Sequence, residues 1–118
     1  MLKIVITGPE STGKSTLAKE LAKYYKTTFV EEYARIFLTN LGRPYVQQDL
    51  LEIAKRQIAQ EDSATNKNPK LLICDTSLEV IKIWSEYKYQ SVDVFITNSL
   101  KVRKPDLYLL MRPDLLWE

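Results

Sequence analysis

The sequence has no histidine, one cysteine and three glycines among its 118 residues, and each scarcity narrows what the chain can do. Without histidine it lacks the commonest general base near neutral pH and the commonest metal ligand, so acid–base work falls to carboxylates. A single cysteine excludes a disulfide within the chain. Cys74 sits inside an apolar run, the place of a small buried hydrophobe, and fits a reducing compartment. No run approaches the ~20 apolar residues needed to cross a bilayer, and a strand-like segment follows Met1 in place of a signal peptide. The expectation is a soluble, cytoplasmic protein without membrane partners. Long runs of one charge are missing as well: 17 basic and 15 acidic residues are interspersed for a net charge of +2. Lys101, Arg103 and Lys104 read as a solvated helix end, so no nucleic-acid partner is expected. With 45% hydrophobic and 27% charged residues, the chain reads as one compact domain over residues 1–118.

Two of the three glycines bracket the most informative stretch. Gly8-Pro9-Glu10-Ser11-Thr12-Gly13-Lys14-Ser15 fits the P-loop pattern G-x-x-x-x-G-K-[ST] at every fixed position. Four residues between two glycines let the backbone wrap an anion, with N–H groups of Glu10, Ser11, Thr12 and their neighbours turned inward. Gly13 allows close approach where a Cβ would obstruct it. Lys14 reaches toward the β- and γ-phosphates of ATP, and the Ser15 hydroxyl suits a hard Mg²⁺ ion. The flanks agree with this reading. Leu2 to Thr7 is a β-branched-rich apolar run, the signature of a central parallel strand, and beyond Lys14 the residues Leu17, Ala18, Leu21, Ala22 and Tyr25 follow a helical period.

Further along, Thr27 to Glu32 reads as a second short strand ending in two carboxylates, and ligands of open α/β sheets bind at such ends. Tyr33 to Leu41 carries a one-sided apolar stripe closed by Gly42 and Pro44. Val46 to about Gln60 predicts a longer helix buried through Leu50, Leu51, Ala54 and Ile58, with its Gln, Asp, Lys and Arg residues facing out. The polar segment from Glu61 to Lys70 predicts a surface loop. Leu71 to Asp75 is an apolar strand with a carboxylate at its end, in the manner of a Walker B segment, and belongs next to the first strand. Thr76 and Glu79 form a capping-box pattern opening a helix with Val80, Ile81, Trp84 and Tyr87 on one side. Ser91 to Val102 fits strand by propensity and helix by period; connectivity favours helix. Leu107 to Met111 is a last short strand, which Arg112-Pro113-Asp114 leaves. Alternation of β and α elements predicts an α/β fold with a parallel sheet covered on both faces; by analogy with nucleoside and nucleotide kinases it is a three-layer P-loop NTPase with at least four strands in the order 2-3-1-4.

Several P-loop classes are excluded by what is missing. A GTPase needs an Asn-Lys-x-Asp guanine reader, yet Asn66-Lys67 is followed by Asn68-Pro69; a motor ATPase commonly has a glutamate after the Walker B aspartate, where this chain has Thr76. The remaining arrangement is that of a small-molecule kinase. Through Gly8 to Thr16, the Glu32-Tyr33-Ala34-Arg35 signature, and Asp75-Thr76 with Trp84 behind it, the chain resembles the ribosylnicotinamide kinase domain of NadR-type proteins. The resemblance implies transfer of the ATP γ-phosphate to the 5′-hydroxyl of nicotinamide riboside, in NAD synthesis. It further implies that Lys14, Ser15 and Thr16 hold phosphates and Mg²⁺, that Glu32, Tyr33 and Arg35 face the small-molecule substrate, and that Asp75 serves as Mg²⁺ partner or base. Members of that family continue past the segment matching residues 112–114 into an arginine-bearing lid and a further strand, so a chain ending at Glu118 is expected to lack both. Two alternatives stand beside this reading: an ATP-binding regulatory or assembly module with little turnover, and a kinase for another small molecule. The oligomeric state is left open.

Overall fold

A computed structural model describes residues 1–8 and 13–111. Its elements follow in the order β1 (Leu2–Thr7), α1 (Lys14–Tyr24), β2 (Phe29–Val30), α2 (Tyr33–Leu41), α3 (Gln47–Thr65), β3 (Leu71–Asp75), α4 (Leu78–Tyr89), α5 (Val94–Val102) and β4 (Leu107–Leu110). The strands form one parallel sheet, as the alternation predicts, in the order β2-β3-β1-β4 expected by analogy with nucleoside and nucleotide kinases.

Register decides which residues share a face. Ile4 lies opposite Ile73 and Leu107, and Val5 opposite Cys74 and Tyr108. Alternation then puts Ile4, Ile6, Ile73 and Leu109 on one side, where Ala18 and Ala22 let α1 approach closely. Val5, Val30, Leu72 and Cys74 line the other side, beneath α3. The remaining helices pack around α3, burying Ala34, Leu50, Ile53, Ala54, Leu78, Ile81 and Ile96 together. Cys74 is fully buried there, and burial pushes its thiol up to about 12.

Several local expectations are corrected. β2 has ladder pairing only at Phe29 and Val30, because Glu31 and Glu32 turn away toward α2. α3 runs to Thr65, so Glu61 is a buried helical residue and not part of a loop; the stop signals Asn66 to Pro69 act one turn later than the polarity change. Its buried face includes Ile53, and with it Asp49, Gln57 and Glu61, which were expected to face water. Asp49 is held by a bidentate Arg43 at 2.8 and 3.0 Å and accepts the Val46 N–H, which keep its carboxyl below the usual range. Tyr25 caps α1 in an exposed position. Tyr87 is exposed too: six residues beyond Ile81, at about 100° per residue, it lies well round the helix from the buried stripe. Trp84 is partly buried, its ring stacked 6.4 Å from Tyr45. The segment read both ways forms a helix, α5, started by Asp93, whose carboxylate accepts the Phe95 N–H at 2.8 Å.

Candidate functional site

The carboxyl ends of the four strands and the start of α1 meet at one end of the sheet. Gly8 leaves β1 at φ +137°, and a Cβ built there would stand 2.5 Å from the Met111 carbonyl oxygen. Gly13 takes φ +85° directly before α1, again a conformation that L side chains rarely adopt. Lys14, the first residue of α1, is buried, while Thr16 on the same turn is exposed. The expected phosphate-wrapping residues Glu10, Ser11 and Thr12, and the Arg112-Pro113-Asp114 segment, lie outside the described residues.

Below this end, three elements bring four predicted residues together. The Ser15 hydroxyl donates to Asp75 Oδ2 at 2.5 Å and accepts from Arg35 Nη1 at 2.8 Å. Arg35 Nη2 also lies 3.4 Å from Glu32 Oε1 and 4.0 Å from Asp75 Oδ2. Glu32 and Asp75 are 5% and 2% exposed, so one half-exposed guanidinium faces two enclosed carboxylates. Ser15, Glu31, Glu32, Arg35 and Asp75 line a cavity of about 50 Å³. A hydroxyl and a carboxylate in contact are a hard-oxygen set of the kind Mg²⁺ uses beside substrate phosphates, so these residues fit that ion. Tyr33 is not part of the lining. Its ring lies 6.2 Å from Phe37 against the helical core, and its N–H donates to Gln57 Oε1 at 2.9 Å.

The turn carrying Asp75 differs from the capping box expected of it. Thr76 sits at φ +63°, and its N–H donates to Ile6 O at 2.7 Å, which extends the β3–β1 pairing by one step. Its hydroxyl is thereby turned into the sheet. Ser77 takes the cap position, and its N–H donates to Glu79 Oε1 at 3.0 Å. A left-handed β-branched residue is costly, on the order of 1–3 kcal/mol, and such outliers concentrate at functional turns.

Sequence reasoning missed a second polar group behind these turns. Glu61, 1% exposed, accepts from Lys3 Nζ at 2.8 Å, from Gln57 Nε2 at 2.9 Å and from Ser77 Oγ at 2.6 Å, with Arg103 Nη2 3.7 Å away. Arg103, expected in a solvated helix end, is instead bound to Asp62 at 2.8 Å and about three-quarters covered. The available signal was periodic: Gln57 and Glu61 continue the stripe Leu50, Ile53, Ala54 at helical spacing, where polar residues stand at core positions. Glu79 is the other enclosed carboxylate here. Burial holds its carboxyl above the ordinary range, opposed by hydrogen bonds from the Thr7 side chain and the backbone at Glu79 and Ser77, and Glu61 pushes it up further.

Comparison with known proteins bears on the fold. Residues 3–118 match a family described as AAA domain. A cytidylate kinase of Flavobacterium psychrophilum is 32% identical over 102 residues, 82% of this chain and 45% of the relative. A crystal structure of NadR protein in complex with NR superposes with a TM-score of 0.73 at 21% identity, over 92% of this chain and 33% of that one. A thymidylate kinase from Ehrlichia chaffeensis gives 0.65 at 18% identity, over 94% and 71%. The chain thus shares the fold of P-loop kinases and spans less than half the length of the cytidylate kinase. Among the described residues, no helix is long and apolar enough to cross a membrane.

Proposed function

This chain belongs to the AAA domain family, and from that premise we propose that it is an ATP-dependent kinase whose phosphoryl acceptor is the 5′-hydroxyl of nicotinamide riboside. The observation that carries the reading is the meeting of Ser15, Glu32, Arg35 and Asp75 beneath the Gly8 and Gly13 loop. Phosphoryl transfer needs little covalent chemistry from protein; it needs reactants in line and charge stabilised. Lys14 and the start of α1 supply positive charge to the phosphates. Ser15 and Asp75 would hold Mg²⁺, which would supply neutralising charge to the phosphate oxygens. Glu32 accepts a hydrogen bond from the acceptor hydroxyl and takes its proton as transfer proceeds. Arg35, now across Ser15 and the two carboxylates, reaches the riboside from the half-exposed side. A cavity of about 50 Å³ is smaller than a nucleoside, so the riboside extends beyond it past half-exposed Arg35. The NR bound in the NadR structure and the Glu32-Tyr33-Ala34-Arg35 signature both support the riboside.

ADP release with Mg·ATP is measured with and without nicotinamide riboside, and with cytidylate and thymidylate as competing acceptors. Riboside-dependent release is expected. Glu32→Gln should lower kcat by roughly a hundredfold with ATP affinity retained, whereas Lys14→Ala should abolish tight ATP binding. Turnover on a nucleotide in place of the riboside reassigns the acceptor, and ATP binding without acceptor-dependent turnover replaces the kinase with a regulatory nucleotide-binding module.

A further inference from the structure

Glu32 follows β2 and Asp75 ends β3, each beside its own turn, and a phosphoryl acceptor between them needs that spacing fixed. A continuous set of hydrogen bonds joins the two turns from behind. The N–H of Tyr33, the residue after Glu32, donates to Gln57 Oε1 at 2.9 Å. Gln57 Nε2 donates to Glu61 Oε2 at 2.9 Å, and the same oxygen accepts from Ser77 Oγ, two residues past Asp75, at 2.6 Å. The amide orientation of Gln57 is dictated by its partners, since only its oxygen can meet an N–H and only its NH₂ can meet a carboxylate.

The bridge is enclosed and electrically complete. Gln57 and Glu61 are 3% and 1% exposed, and Lys3 at 2.8 Å with Arg103 at 3.7 Å balance the Glu61 charge. An apolar pair would fill these stripe positions without the cost of burying a carboxylate. A pair that reaches both turns does what an apolar pair cannot: it sets the two turns relative to one another. We propose that Gln57 and Glu61 are positioning residues that hold Glu32 and Asp75 at their working separation. The proposal rests on the kinase reading for its purpose, though its geometry can be tested without turnover.

The test is Gln57→Met, close in volume and unable to form either hydrogen bond, with Ser77→Ala cutting the bridge at its other end. Gly42→Ala, remote from the site, serves as a destabilised control. Backbone amide chemical shifts of Glu32 and Asp75 are followed by NMR beside kcat, KM for the riboside and the Kd for Mg·ATP. Each bridge variant should move the amide signals of both turns, the one beside the cut and the one at the far end. They should lower kcat about tenfold with the Mg·ATP Kd within about twofold of wild type, and Gly42→Ala should do neither. Shift changes confined to the turn beside the cut and kcat unchanged in either folded bridge variant, with only stability reduced, would overturn the proposal. Should the wild type show no riboside turnover, the kinase reading fails while the amide shifts still decide the bridge.

Discussion

Glu79 shows how one enclosed side chain makes stability depend on pH. Burial holds its carboxyl above the ordinary range in the folded state, with the Thr7 hydrogen bond acting the other way. As pH rises past the unfolded value, the unfolded chain gives up this proton first. Stability therefore falls until the folded group has also ionised, and below the unfolded value no penalty exists. Glu79→Gln should accordingly be more stable than wild type at pH 7, with the gain vanishing toward pH 4, as urea unfolding at several pH values will report; a gain equal at both ends would show that packing is the cause. At this scale the sequence was most readable where chemistry fixes spacing. Lys14 and Ser15 were expected at the start of a helix from the spacing of the loop pattern, and Asp75 at the end of a strand from the apolar run before it, and these are the positions they take. Glu61 could not be placed, because its partner Lys3 lies far away in the chain and only folding brings the charge in the first strand to the middle of α3.

Helix limits were legible wherever one residue enforces them. Gly42 ends α2 at φ +72° with open space where a Cβ would stand, so Gly42→Ala meets no clash and the backbone conformation alone sets its cost. A loss of about 1 kcal/mol in chemical unfolding is expected, with the rest of the fold unchanged; a neutral result would mean that the turn relaxes freely. The end of α3 was harder to read, because a charged residue at a buried helical position looks like the beginning of a loop until its counter-ions are known. The β3–α4 turn was misread for a related reason. Thr76 and Glu79 have capping-box spacing, but continued pairing of Thr76 with Ile6 outcompetes the cap and passes that role to Ser77.

Among the described residues, the sheet is well covered at its centre and exposed at β4. Alternation of elements made a parallel sheet readable, while the strand order came from analogy with nucleoside and nucleotide kinases. Coverage of β4 was not readable, because it depends on what packs beside that strand. Among the described residues nothing pairs with its outer edge, and Leu107, Tyr108 and Leu110 are 47%, 45% and 65% exposed. Apolar edges of this kind template association. Leu110→Lys should reduce concentration-dependent association in sedimentation velocity while changing stability by less than about 0.5 kcal/mol; identical profiles would show that the edge is not used. The contact between Gly8 and Met111 has a bearing on inheritance as well as on shape. The Cβ of any larger residue at position 8 would strike a backbone oxygen at position 111, which every residue carries, so no change of side chain at 111 makes room for it. Glycine at position 8 is thus held by the path of the chain and not by the identity of its neighbour.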